Sequence, residues 1–495
     1  MRFCWLLATG SVALVLAAPS GARRIVGTSG PDLLLGTPRA DHIAARGGAD
    51  RIDVAGAGRD FVSCGSGVDL VAADLADRLA RNCELVARRV SSDVRRGGGA
   101  LHATEAEPDS FSWGATVLAA FQVGRFASGG AQNIGFAAST DTGRTWRRGL
   151  LPGLTIASRP TGSFARVSDP AVAYDDAHGR WLISSLVFDE QESALVISRS
   201  SDGVHWSSPA TAVRKPNGPN GIVLDKEWIA CDNGGASPFH GHCYLSYSDI
   251  ENLRLSTQHS TDGGATWSGA VGSPGTGPGG IGPQPLVLPD GAVVVPLYDA
   301  GRLVAVRSTD GGASFSPAIT IAPSSFARSM ALRSAPLPSA EIGADGTIVL
   351  VWPDCGARTG CNQNDLVFSK SVDGLSWTPP AVIPLGAGNH VLPGIAVDSS
   401  RPGRLALTYY TDSGRKLDVG FVSSRDGGAT WTRPVRLSPE AMPFRRIARS
   451  GGAMVGDYIS TSFANGRAVP VFTLAQSPLH GLLRQATYAS SLAVP

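Results

Sequence analysis

The 495-residue chain carries 43 Lys+Arg against 41 Asp+Glu, a formal net charge of +2. That balance excludes a nucleic-acid binder, which needs a strongly basic field, and an acidic disordered tail. With 43% hydrophobic and 7% aromatic residues there is enough apolar matter for a sizeable core, and the length suits two or three domains or one large all-β unit.

Arg2 precedes an apolar run from Phe3 to Ala18, and small residues follow at Ser20, Gly21 and Ala22. This is the layout of a secretory signal peptide over residues 1–22. The run is too short to span a bilayer, Pro19 and Gly21 close it, and no later stretch is apolar for long enough. A secreted, extracellular chain without a transmembrane segment is therefore expected. Cys4 leaves with the signal. Cys64, Cys83, Cys231, Cys243, Cys355 and Cys361 remain, in three neighbouring pairs. An even number in an exported chain predicts disulfides, with pairing inside each neighbour pair favoured by proximity alone and free buried thiols as the alternative.

Residues 23–90 hold a short repeat. Asp32, Asp41, Asp50, Asp60 and Asp69 step by 9, 9, 10 and 9 residues, each followed by an apolar or near-apolar pair. Glycines precede several of them, as in Gly47-Gly48-Ala49-Asp50 and Gly65-Ser66-Gly67-Val68-Asp69. The pattern resembles a degenerate RTX (hemolysin-type) nonapeptide, whose turns bind Ca²⁺ in a parallel β-roll. That resemblance implies Ca²⁺ held by the five Asp carboxylates and turn carbonyls, the apolar positions stacking inward. A β-roll without metal, closed by Cys64–Cys83, fits the same residues. Residues 91–104, with Arg95-Arg96-Gly97-Gly98-Gly99, read as a linker.

From residue 105 to 495 one motif recurs: Ser139-Thr140-Asp141-Thr142-Gly143-Arg144-Thr145-Trp146, Ser260 to Trp267, Ser308 to Phe315 and Ser424 to Trp431. Shorter copies run from Ser200 to Trp206 and from Ser371 to Trp377. Alternating apolar runs surround each copy in the order strand, strand, strand, motif, strand, with no helical periodicity between them. Repeats of this length and content predict an all-β propeller of four-stranded blades. The motif resembles the Asp-box, or BNR repeat, of the sialidase superfamily. Its Asp residues (Asp141, Asp202, Asp262, Asp310, Asp373 and Asp426) are expected to be structural, the carboxylate taking turn N–H groups and the Trp packing beneath. Seven repeats can be counted, the seventh after the last box and completed by a strand over 102–107; a six-bladed sialidase-type ring is the alternative.

In such a ring the first strand of each blade lines a central channel. The polar residues opening these strands are Glu105, Glu107, Arg166, Ser168, Asp169, Asp225, Lys226, Glu227, Gln284, Arg333, His390, Asp457 and Tyr458. The sialidase resemblance implies a Tyr nucleophile activated by Glu, an Asp acid/base and three Arg on the sugar carboxylate. Tyr458 and Glu227 fit that order loosely, Asp169 supplies the acid/base, and Arg333, Arg166 and Arg449 are candidates by position. No Pro follows Arg-Ile anywhere in the chain, so the family's R-I-P signature is missing. His240-Gly241-His242-Cys243 reads as a surface loop rather than a metal cluster. The function expected is a secreted exo-α-sialidase-type glycoside hydrolase acting on terminal sugars of a glycan or glycoconjugate. Two rivals stand beside it: a non-catalytic Asp-box propeller binding carbohydrate or protein, and a cell-surface interaction protein working through its N-terminal repeats.

Overall fold

The computed structural model describes residues 23–56, 58–94, 97–277 and 280–494, and the expected signal peptide lies outside them. The chain is all-β and divides into two compact units after Arg89. Among the described residues no helix is long and apolar enough to cross a membrane.

The first unit is a parallel β-solenoid. Arg24–Val26, His42–Ala44, Phe61–Ser63 and Arg78–Leu79 form one sheet; Leu33–Leu35, Arg51–Asp53 and Leu70–Asp74 run through the other. Two nine-residue repeats make one coil, so Arg24 pairs with His42 and Leu33 with Arg51. The apolar member of each repeat points inward: Ile43, Ile52, Val62 and Val71 are fully buried. Val54, which departs from the repeat, still enters this core, its N–H bonded to the Ala72 carbonyl. Glycine is required at Gly65, where φ is +102° and a Cβ would sit on the Arg46 carbonyl oxygen. The Asp column has a defined mechanical role. The Asp50, Asp60 and Asp69 carboxylates each accept the backbone N–H of the Asp one coil earlier: Asp32 N–H to Asp50 Oδ1 at 2.8 Å, Asp41 to Asp60 at 2.6 Å, Asp50 to Asp69 at 2.8 Å.

The second unit starts at Val90, so the stretch expected as a linker falls within its bounds, and described residues of that stretch make bonds. Leu101 bridges Arg125, Gln132 Nε2 donates to the Gly97 carbonyl, and His102 meets Asp93 at 2.9 Å. Antiparallel four-stranded meanders follow. The first comprises Ala106–Trp113, Thr116–Arg125, Ala131–Ser139 and Arg147–Leu150. The second runs from Arg166–Asp175 to Ala210–Pro216 and the third from Leu224–Cys231 to Val271–Gly272. The fourth, fifth and sixth open with Leu286–Val287, Ser339–Ile342 and Asn389–Val397. A last group holds Ser460–Ala464, Arg467–Ala475 and Gln485–Ser490, with Leu492–Ala493 returning to pair with Arg467 and Ala468. Residues 102–107 do not complete it as a strand: only Thr104 bridges Gln485, because the chain from Ala106 onward is already the opening strand of the first meander.

The six box turns all fall between third and fourth strands and lock onto the neighbouring meander. A Cβ on Gly264 would meet Leu182 at 3.1 Å, and one on Gly312 would meet Tyr244 at 3.1 Å. The first box closes the series backwards, since Gly143 lies against Val469 of the last group. Opening strands follow the same cyclic order, each beside the next, with Ser460–Ala464 returning to Ala106–Trp113. Within each box the Asp serves its own turn: Asp262 Oδ1 accepts the Ala265 and Thr266 N–H groups at 2.9 Å, and Ser260 Oγ receives Gly264 N–H. Asp141, Asp202, Asp310, Asp373 and Asp426 do likewise. Disulfides join Cys64–Cys83, Cys231–Cys243 and Cys355–Cys361.

Candidate functional site

The opening strands carry a repeated irregularity. Their register shifts between Ser168 and Ala171, Asp225 and Trp228, and Val391 and Gly394, and opposite Ala120/Gln122 in the first meander. At these bulges Glu107, Asp169, Lys226 and Leu392 adopt φ of +51°, +48°, +52° and +53°. A left-handed residue at a bulge re-aims the side chain and is strained for anything but glycine. Three of the four are charged, and they meet.

Lys226 Nζ is the centre. It lies 2.9 Å from Asp457, 3.0 Å from Asp169, 3.7 Å from Glu107 and 4.0 Å from Asp225. Arg333 grips Asp457 from the other side, Nε to Oδ1 at 2.9 Å and Nη2 to Oδ2 at 2.6 Å, and reaches Ser450 with Nη1 at 3.4 Å. Arg125, buried on the second strand of the first meander, faces Glu107 at 3.9 Å. Gln122 also donates to Glu107, and Asp457 N–H reaches Glu107 Oε1 at 3.1 Å. Most of this network is buried. Only Arg333 and Asp225, with side chains 35% and 28% exposed, offer it to solvent.

Environment sorts the carboxyls. Burial pushes Glu107 up to about 7 and Asp225 up to about 6, the Lys226 charge opposing it in both. Burial also works against Asp457, but Lys226 and Arg333 beside it win and hold it well below the usual carboxylate range. Burial, then the Asp169 charge, drives Glu227 well up. Among the described residues no side chain bonds to either Glu227 oxygen, so only its own backbone N–H and the Lys226 charge oppose that upward shift.

The sequence-derived candidates separate. Asp169 and Arg333 join the cluster. Tyr458 and Glu227 are buried beside it but do not bond to each other: the Tyr458 hydroxyl donates to the Pro170 carbonyl at 3.0 Å, its ring stacks edge-on with Trp228, and burial drives its pKa well above the usual phenol value. Arg166 turns away, bonded to Ser128 and the Gly129 carbonyl with its guanidinium over Phe126. Arg449 is exposed on the loop whose backbone bridges it to Ala453. Of Arg166, Arg333 and Arg449, Arg333 joins the cluster and the other two do not, so the three do not converge on one volume. Gln284 accepts the Ala340 N–H deeper in the channel, and His390 contacts Thr411 and Tyr409 in the sixth meander. Arg125 was missed because it lies on a second strand, where nothing local marks it as channel-facing.

The calcium expectation fits poorly. Asp41, Asp50, Asp60 and Asp69 are buried, and one oxygen of Asp50, Asp60 and Asp69 is taken by a backbone N–H of the neighbouring coil. Among the described residues no group of three or more His, Cys, Asp or Glu side chains is placed to hold a metal.

No family model matches the chain. It is 25% identical over 307 residues to a xyloglucanase from Paenibacillus sp., a match covering 60% of this chain. The match spans only 23% of that relative, less than a quarter of its length. Among solved structures, the Hadza microbial sialidase Hz136 is 17% identical with a TM-score of 0.44, covering 71% of this chain and 69% of that one. An ulvan lyase of polysaccharide lyase family PL25 aligns at 10% identity and a TM-score of 0.48, over 82% of this chain and 96% of the other. The intramolecular trans-sialidase of Ruminococcus gnavus aligns at 14% identity and a TM-score of 0.41, over 82% and 98%.

Proposed function

We propose that this protein is an exported glycoside hydrolase built on a closed seven-bladed propeller, taking a glycan at the Arg333–Asp225 end of its channel. The observation that carries the reading is the pair of unlike carboxyls on one lysine. Asp225 is part-exposed and raised to about 6, and Asp457 is held ionised, both within 4.0 Å of Lys226 Nζ. Carboxyls driven apart in this way divide into a proton donor and a charge stabiliser, the assignment that glycosidic cleavage needs. Asp225 would protonate the leaving oxygen as the glycosidic bond breaks, the cluster carboxylates would face the developing positive charge, and a water would then add to the anomeric carbon and give its proton back to the Asp225 carboxylate. Similarity to the xyloglucanase supports a sugar substrate. The disulfides and the N-terminal layout support export.

Exo-α-sialidase action through Tyr458 and Glu227 is the narrower form of this proposal, and Tyr458→Phe tests it directly. It asks more of the site, because a phenol bonded to a carbonyl has no base to take its proton, and Arg333 is already paired. A non-catalytic glycan or protein binder is the second reading. It is favoured by the internal pairing of Lys226 and Arg333 with cluster carboxylates.

The test is sugar release from a panel of xyloglucan oligosaccharides, other neutral glycosides and sialosides. Asp225→Asn should lower turnover by about 10²–10⁴-fold, the usual contribution of a general acid. Activity should also fall as pH rises through about 6. No release by a folded wild type across pH 4–8 would leave the binding reading. Release that survives Asp225→Asn would remove the assigned acid.

A further inference from the structure

A cavity of about 390 Å³ occupies the channel beyond the ion cluster and takes no part in the proposed chemistry. Its outer rim is formed by Trp113, Asn233, Ala344 and Ser399, which follow or end opening strands. It therefore opens at the end that carries the box turns, away from Arg333 and Asp225.

Its chemistry is one-sided. Asp109 and Glu341 both line it, and among the described residues no Lys, Arg or His does. The groups acting on Asp109 are burial, the Val172 and Ser110 N–H groups and the Ser460 hydroxyl. Those acting on Glu341 are burial, the Asp109 charge and the Ile342 N–H. No cation is among them, and the carboxyls are pushed up to about 7 and about 8. A second feature points to a ligand with oxygen acceptors. Gln284 is only 6% exposed and lines the same space. Its Oε1 takes the Ala340 N–H at 2.6 Å, and its Nε2 donors have no partner among the described residues. Ser110, Ser339 and Ser462 add hydroxyls, and Trp113 and Trp228 add aromatic surface.

We propose that this cavity is a binding site for a hydroxylated organic ammonium ion, of the amino-alcohol or amino-sugar class. The ammonium lies between Asp109 and Glu341, and its hydroxyls accept from Gln284. Such a guest supplies the charge that the buried Asp109 and the half-buried Glu341 lack and the acceptors that the amide lacks. A metal ion is the weaker fit, since only two carboxyls converge and no cluster of three acidic, His or Cys groups exists among the described residues.

Calorimetric titration of the full chain with glucamine tests this, with sorbitol as the uncharged isostere, putrescine as the cation without hydroxyls, and CaCl₂ as the metal. Glucamine should bind saturably, at least tenfold more tightly than sorbitol or putrescine. Its affinity should rise with pH between 6 and 8 as the carboxyls ionise. Wild type titrated in two buffers of different ionisation enthalpy should show proton release, a readout that needs no variant. Glu341→Gln and Asp109→Asn should each weaken binding tenfold or more. Sorbitol binding as tightly as glucamine, Ca²⁺ binding in preference to it, indifference to both substitutions, or no saturable binding would each overturn the proposal.

Discussion

Replacing Lys226 with Met tests whether the channel cluster is held together by one buried charge. The Lys226 side chain is 8% exposed and touches Asp457 at 2.9 Å and Asp169 at 3.0 Å. Met keeps most of the stem's packing and removes the charge. Breaking a buried pair from one side typically costs about 3–5 kcal/mol, because the partner is left charged and uncompensated. Arg333 still neutralises Asp457, so the stranded group is chiefly Asp169, with Glu107 behind it. The pH dependence has a definite sign. The lysine's folded pKa is raised, so its own contribution is fully present across the working range and fades only in strong alkali. The carboxyls set the window. Glu107 and Asp225, at about 7 and about 6, are largely protonated at pH 5 and ionised at pH 8. The penalty should therefore be larger at pH 8, where more anions lack a partner. Urea unfolding at the two pH values, followed by tryptophan fluorescence and analysed with a common slope, measures it. A loss below about 1 kcal/mol at pH 8, or an equal loss at both, would refute the electrostatic account.

Asp262→Ala should cost about 1–2 kcal/mol by freeing the two turn N–H groups its carboxylate accepts. The Thr266 bonds hold that carboxyl below its usual range despite burial, so the stabilisation is present near neutrality and lost as pH falls through the depressed value; unfolding midpoints at pH 7 and pH 3 check this. Asp60 is pushed up to about 7 by burial, so the solenoid is steadiest with that proton on and weakens as pH rises through about 7. Asp60→Asn keeps an acceptor for the Asp41 N–H and should slow amide exchange in residues 41–63 at pH 8; faster exchange would contradict the assignment. Removing Cys231–Cys243, whose partners are 12 residues apart, should cost about 2–3 kcal/mol of stability. Non-reducing peptide mapping should recover all three local pairings.

What could be read from the sequence was what is local. A box makes its bonds within eight residues, from Ser260 to Trp267, so its Asp, Gly and Trp announce their roles without knowledge of the fold. The disulfides join near neighbours, and the nine-residue step of the N-terminal Asp column is half a solenoid coil. The channel mouth was only half legible. Glu107, Asp169 and Lys226 near the start of their strands, and Arg333 and Asp457 on the approach to theirs, could be gathered by position. Which way each points depends on the bulges, and a bulge exists only against a partner strand. That is why Tyr458 and Glu227, adjacent in sequence to cluster members, are turned to other neighbours. Asp109 and Glu341 lie inside strands whose apolar pattern hides them, and their convergence is a property of the ring.

The bulges also bear on whether the cluster is more than a seal. Left-handed φ at Glu107, Asp169 and Lys226 costs about 1–2 kcal/mol each, and burying their charges adds a desolvation penalty that pairing only partly offsets. A ring that merely needed closing could use well-packed apolar side chains without strain, which is often the more stable choice. The first, second, third and last strand groups each contribute a charge, with Arg333 arriving from the approach to the fifth, so the arrangement is costly at several independent positions. Left-handed φ also occurs at uncharged turn positions such as Thr142 and Asn465; what sets the channel end apart is that Glu107, Asp169 and Lys226 combine it with buried charge, and this combination motivates the catalytic reading. If sealing were the whole purpose, Lys226→Met combined with Asp169→Leu would recover most of the stability lost in Lys226→Met alone and leave glycan turnover intact. On the catalytic reading the double variant recovers stability and loses turnover, because Asp225 and Asp457 no longer share the charge that sets them apart.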